Sequence, residues 1–174
     1  MLIPSPGIVI TSDSVKANMF DNFYATTGVV DDGKISSFPS MELTSVLDTV
    51  VFTETDIILA ISKLKLTSLS CGPDNLPPVL FKKVKHCLAK PLSLLFNQLL
   101  SVAAVPVQWK QARNTPVFKK GTTGDVSNYR PISLTCVVCT IMERVIAEHI
   151  YSHLTSNNLI SCTAWFCQTT FYMY

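Results

Sequence analysis

Five cations crowd one short stretch of the chain. Between Trp109 and Arg130, the side chains Lys110, Arg113, Lys119, Lys120 and Arg130 face a single acid, Asp125. Lys119 and Lys120 stand beside Gly121, whose missing Cβ lets a backbone approach a ligand closely. Arg130 directly precedes Pro131, which holds its backbone extended. A planar guanidinium on a rigid segment suits bidentate phosphate contact, and lysines add point charge. Such groups grip a triphosphate or a nucleic-acid backbone. The same residues are equally consistent with an exposed basic hairpin that holds nothing.

A second set has the donor types of a metal site. Cys136-x2-Cys139 is followed by His149-x3-His153, the order of a zinc finger with a short central gap. All four fall in one helical pattern, where the ten residues from Cys139 to His149 span roughly 15 Å at 1.5 Å per residue. Zinc needs its donors within about 2.0–2.3 Å of one point. The simpler reading is two small buried cysteines and two histidines on or beside an apolar face. Nucleophilic catalysis has less support: His86 and Cys87 are sequence neighbours and point in different directions on a helix. There is no G-x-S-x-G, Walker loop or dinucleotide fingerprint.

These residues need elements to hold them. Residues 12–27 have a helical period, with Val15, Met19, Phe20 and Phe23 on one side and Ser12 or Ser14 as N-cap. Residues 28–51 read as loop, punctuated by Asp31-Asp32-Gly33 and Phe38-Pro39. Thr53 opens a second helix, with Asp56 completing a weaker capping box and Ile57, Ile58, Ile61 and Leu64 as its stripe. The run SLSCGPDNLPP stops it. A third helix is expected from Pro77-Pro78 through Leu80, Phe81, Val84 and Leu88, with Pro91 breaking or restarting it. Leu92–Ala104 is a fourth, ended by Pro106. Trp109–Lys119 reads as a strand weakened by Pro116, and Tyr129–Leu134 as its return. Cys136–Leu154 is a long helix ended by Asn157-Asn158. Its apolar face is Val138, Ile141, Met142, Val145 and Ile146; Thr140, Glu143, Arg144, Ala147 and Glu148 lie opposite.

The chain has 174 residues, 48% hydrophobic and 15% charged, which is apolar enough for a packed core. The net charge of +2 hides an asymmetry. Residues 1–57 carry two lysines against eight acids, and residues 58–174 carry twelve Lys and Arg against four. A basic body behind an acidic head favours a polyanionic partner. Asn97 and Gln98 split the best apolar run, Leu92–Val107, short of the ~18–20 residues a membrane span needs. No basic residue precedes the apolar start MLIPSPGIVI, which makes it a poor signal peptide. Six cysteines are most simply free thiols in a reducing compartment. The expected location is intracellular, in nucleus or cytoplasm.

The run PVFKKGTTGDVSNYRPISLTCVVCTIMERVI, residues 116–146, resembles the fingers region of reverse transcriptases of non-LTR (LINE-type) retrotransposons, the jockey-like and CR1-like lineages above all. Their W-K-x-A, P-x-F-K-K-G, N-Y-R-P-I-S-L and M-E-R-like segments are matched by Trp109 to Ala112, Pro116 to Gly121, Asn128 to Leu134 and Met142 to Arg144. Upstream, Phe52-Thr53-Glu54 with Ile61 to Leu64, Gly72-Pro73-Asp74 with Pro77-Pro78, and Pro91 to Asn97 resemble further family segments in the same order. Cys71 stands before Gly72 where the family commonly has Ser-Pro. The likeness covers residues 15–161.

The resemblance implies an α+β, mainly helical fold: part of a reverse-transcriptase right hand, with N-terminal extension helices, a fingers β-hairpin and one long helix. Without palm strands beside it, the hairpin is expected to have an exposed edge and marginal stability. The implied parts are an acidic segment at 1–51, the extension and fingers at 52–161, and a divergent, disordered tail at 162–174. Lys119 and Arg130 would contact the nucleotide triphosphate, and Lys110, Arg113 and Lys120 the nucleic acid. Partners would be RNA template, DNA primer and deoxynucleotide, with no membrane and no small metabolite. Catalysis in the family uses Mg2+ held by palm aspartates; those motifs do not occur here, so this stretch is expected to be inactive alone. The alternatives are a domesticated, non-catalytic RNA-binding module and an unrelated zinc or thiol protein. After Ser161 the family pattern is lost in CTAWFCQTTFYMY. The codons for that tail, shifted by one base, permit QHGFVKRRSTC, close to the family's continuation, so a frameshift or misjoined gene model is expected there.

Overall fold

The computed structural model describes residues 10–27, 46–65 and 71–159. Turn signals at 31–39, the first part of the SLSCGPDNLPP stop and the 162–174 tail lie outside the described residues. The chain forms two compact units: residues 1–40 with 113–134, and residues 41–112 with 135–174.

In the helical unit, Phe52 is almost wholly buried. Thr53 caps α1 (Glu54–Ser62). Its Oγ1 accepts from the Asp56 N–H at 3.2 Å, and the Asp56 carboxylate accepts from the Thr53 N–H at 3.0 Å. The box expected from sequence is therefore closed, although an aspartate stands where glutamate is usual. Ile57, Ala60 and Ile61 are the buried residues of α1, and Leu64 just beyond it is buried too. Ile58 is half-buried rather than part of the stripe.

The next helices differ from the expected division. α2 (Pro78–Lys83) ends at Val84, and α3 (Lys85–Ser101) runs straight through Pro91. The break lies at Val84, at φ −110° and ψ 16°. Pro91 is tolerated because it is on the exposed side of α3. There, a carbonyl that loses its partner can turn to water. Ala89, Leu92, Ser93 and Phe96 form the buried face. Phe96 packs edge-on against Phe52, with ring centroids 5.3 Å apart, and against Trp109 at 6.0 Å. That packing holds Trp109 in a 3-10 turn, Val107–Lys110, so the expected strand does not start there. α4 (Val137–Ser156) completes the unit, burying Val137, Cys139, Ile141, Met142 and Val145. Its packing face is the expected one with Val138 and Ile146 half-buried.

Gly72 permits the approach of the 71–76 turn to the start of α4. A Cβ at this position would lie 2.4 Å from the Thr135 carbonyl oxygen and 2.9 Å from Cys136 Cα. Both are backbone atoms, so no side-chain rotation can make room.

The hairpin unit contains the helix Asp13–Thr27 and the antiparallel strands β1 (Arg113–Phe118) and β2 (Tyr129–Leu134). The first helical hydrogen bond runs from the Lys16 N–H to Ser12 O (3.1 Å), which makes Ser12 rather than Ser14 the residue before the helix. Only Phe20 of the expected stripe is buried; Val15 is exposed. Phe20 meets the Tyr129 ring edge-on at 5.0 Å. The fold is thus mostly helical with one small antiparallel hairpin.

Asn97 supplies a test of what holds the helical unit. Its side-chain oxygen accepts from the Phe52 N–H at 3.0 Å, and its amide donates to the Phe52 carbonyl at 2.9 Å. Asn97→Ala leaves two partly buried backbone groups without these partners and should destabilise the protein by about 2 kcal/mol. Gln98→Ala, one residue on and exposed, should stay within about 0.5 kcal/mol. Urea unfolding followed by circular dichroism separates them; equal effects would refute the role given to Asn97.

Candidate nucleic-acid interface

Strand pairing decides where the cations go. The register runs from Arg113 opposite Leu134 to Phe118 opposite Tyr129. Opposed residues share a face, and faces alternate along a strand. One face therefore carries Arg113, Thr115 and Val117 together with Arg130, Ile132 and Leu134. The Lys119 N–H donates to Asn128 O at 2.8 Å, extending the pairing by a step. Lys119 and Asn128 thereby join the same face. The other face carries Phe118 and Tyr129, whose rings meet edge-on at 5.4 Å.

Three of the five cations, Arg113, Lys119 and Arg130, thus share a hairpin face. All three are exposed, as is Lys120 in the turn. Among the described residues, no carboxylate forms a salt bridge with Lys119, Lys120 or Arg130. Lys110 belongs to the 3-10 turn of the helical unit and is not part of this face.

Pro116 does not weaken the strand as expected. Pro116 and Pro131 lie opposite each other. Counting back from the Lys119–Asn128 bond, alternate pairs are hydrogen-bonded, and Pro116–Pro131 falls at a non-bonded position. No ladder bond is lost there. Each proline also removes an N–H that would have faced outward, which blunts both edges of the hairpin against strand addition.

The connection from Lys119 to Asn128 is ordered by its own side chains. Asp125 accepts from the Ser127 N–H (2.9 Å) and hydroxyl (2.7 Å). The Ser127 hydroxyl, then its N–H, hold the Asp125 carboxyl below its usual range. That anchor stays charged until the pH falls through this lowered value. Sequence reasoning counted Asp125 only as a lone opposing charge, although Asp-x-Ser is a recognisable turn signal.

The other constellations resolve differently. Cys136 and Cys139 are buried, and Cys136 caps α4, its Sγ accepting from the Cys139 N–H at 3.4 Å. The Cys139 thiol donates to Glu143 Oε1 at 3.2 Å. Burial, then the hydrogen bond and charge of Glu143, push Cys139 up to about 12, and burial raises Cys136 as well. Among the described residues, no three His, Cys, Asp or Glu side chains converge to hold a metal. A cleft of about 150 Å3 between α1 and α4 is lined by Asp56, Lys63, Arg144, Glu148 and His149. Beside it Lys63 pairs with Glu148, and His149 Nε2 lies 4.0 Å from Asp56 Oδ2.

The chain is similar to two Drosophila melanogaster proteins. It is 31% identical over 106 residues to "Probable RNA-directed DNA polymerase from transposon BS", covering 60% of this chain and 12% of that protein. It is 42% identical over 60 residues to "RNA-directed DNA polymerase from mobile element jockey", covering 34% of this chain and 7% of that protein. No family model matches the chain. The chain is a distant, partial relative of transposon RNA-directed DNA polymerases and spans a small fraction of their length.

The cysteines give a direct check on the buried helix start. With its pKa at about 12 rather than 9, Cys139 holds on the order of a thousandfold less thiolate at pH 8. Alkylation of the folded chain at that pH, read peptide by peptide, should modify exposed Cys87 well before Cys139. Comparable rates at the two would contradict this burial.

Proposed function

We propose that this chain is the fingers part of a non-LTR retrotransposon RNA-directed DNA polymerase, contributing the cations that hold nucleotide and template phosphates. The observation that carries this reading is the placement of Arg113, Lys119 and Arg130 on one exposed hairpin face. In this role the Arg130 guanidinium engages a triphosphate or backbone phosphate through paired N–H groups. Lys119 adds a mobile point charge beside it, and Lys120 and Arg113 extend the positive surface along the strand. Lys110 would act on nucleic acid from its own unit. RNA template, DNA primer and deoxynucleotide are the proposed partners.

The described carboxylates do not fit the family's Mg2+ site. Asp125 is engaged by Ser127, Glu143 by Cys139 and Glu148 by Lys63. Among the described residues, no three His, Cys, Asp or Glu side chains gather where a metal ion could sit, so no bond-forming step is assigned to these residues. The likeness to much longer polymerases supports phosphate binding as this chain's share of the work.

The test is binding of the full chain to single-stranded RNA by fluorescence anisotropy at a series of salt concentrations. Affinity should fall as salt rises, with a log–log slope of about 0.7 per phosphate contact and little preference for sequence. Arg130→Ala and Lys119→Ala should each weaken binding several-fold and lower the slope by about that amount. Salt-independent affinity, or binding unchanged in both variants, would overturn the proposal. A domesticated binding module would give the same binding, and primer extension by a polypeptide that includes this segment would tell the two apart.

A further inference from the structure

The turn that carries Lys119 and Lys120 is gripped from both faces of the hairpin. Asn128, on the cationic face, donates its amide to the Thr122 carbonyl at 3.0 Å. Tyr129, on the opposite face, donates its hydroxyl to the Thr123 carbonyl at 2.9 Å. Two consecutive carbonyls are thus held by two consecutive side chains whose alternation puts one on each side. Gly121 makes the grip possible. Its φ is +94°, and a Cβ there would lie 2.7 Å from both polar atoms of the Asn128 amide.

We propose that Asn128 and Tyr129 are positioning residues for phosphate binding, acting through Lys119 and Lys120. The inference rests on the phosphate-binding reading of the hairpin face. A ten-residue connection, from the end of β1 to the start of β2, would otherwise spread its lysines over many backbone arrangements. Phosphate contact would then carry the entropy of ordering the loop. The grip orders it beforehand. Lys119 is fixed from the other side by its N–H on the Asn128 carbonyl, so one asparagine holds the lysine's backbone with its carbonyl and the following turn with its amide. The tyrosine ring is independently seated against Phe20 and Phe118, which anchors the second hydrogen bond.

The experiment measures binding of the full chain to oligouridylate over about 50–200 mM salt. Wild type is compared with Asn128→Ala, with the Lys119→Ala/Lys120→Ala double variant, and with all three changes combined. Asn128→Ala alters no charge, yet affinity should fall about fivefold and the salt slope should drop toward that of the double lysine variant, itself lowered by about 1.4. In the triple variant, Asn128→Ala should add little, because its effect passes through lysines already removed. A residue serving only general stability would leave the slope unchanged and add its full effect in the triple variant; that result overturns the proposal. Tyr129→Phe removes only the hydroxyl and keeps the ring, so it carries the same test should Asn128→Ala fail to fold. It should move affinity and slope in the same direction, by less. If wild type binds and both variants match it, the positioning inference fails alone. If wild type does not bind, the phosphate-binding reading fails and takes this one with it.

Discussion

The helical unit depends on an amide in the middle of an apolar helix. Asn97 follows Phe96, a fully buried ring, and returns both hydrogen bonds of the Phe52 backbone. The segment entering α1 is extended at Thr53, and among the described residues no strand pairs with it to satisfy those groups. The side chain substitutes for the missing strand. With Phe52 held, its ring packs on Phe96, Thr53 is placed to cap α1, and α1 can lay Ile57 and Ile61 into the core shared with α3 and α4. Trp109 closes the other side of Phe96.

Asn128 does comparable work in the hairpin unit, where it ties the turn back to the start of β2. In both places an asparagine answers backbone groups that regular secondary structure leaves over. The amide suits this because it offers donor and acceptor on one short, stiff side chain. The consequence differs with location: at Asn97 the outcome is a packed core, at Asn128 an ordered display of charge.

The cysteines show how tertiary burial changes the meaning of a motif. A C-x-x-C at a helix start is the arrangement that elsewhere lowers a thiol pKa. Here both cysteines are buried, and Glu143 stands one turn along from Cys139, where its charge opposes a thiolate. Desolvation and a neighbouring anion outweigh the helix end, so the same spacing yields inert thiols. His149 and His153 lie along that same helix rather than around one point, with His149 near Asp56.

Local chemistry alone determined much of this protein. The Thr53–Asp56 capping box, the apolar face of α4, the stop at Asn157-Asn158 and the two hairpin strands were all legible, because each depends on residues within a turn or two of one another. The basic character of 110–130 was legible for the same reason. What only the tertiary structure decided depends on partners distant in sequence or on strand register. Pro91 looks like a break and is not one, because it falls on the exposed side of α3. Asn97 looks like an interruption of an apolar run and proves to be a tie to a backbone 45 residues away. Pro116 looks like a defect until Pro131 is found opposite it at a non-bonded position. The five cations look equivalent until the register places three on one face, the fourth in the turn and Lys110 in the other unit. Side-chain spacing along a strand has a period of two, but the face it presents is set by pairing, and pairing is a property of the folded chain.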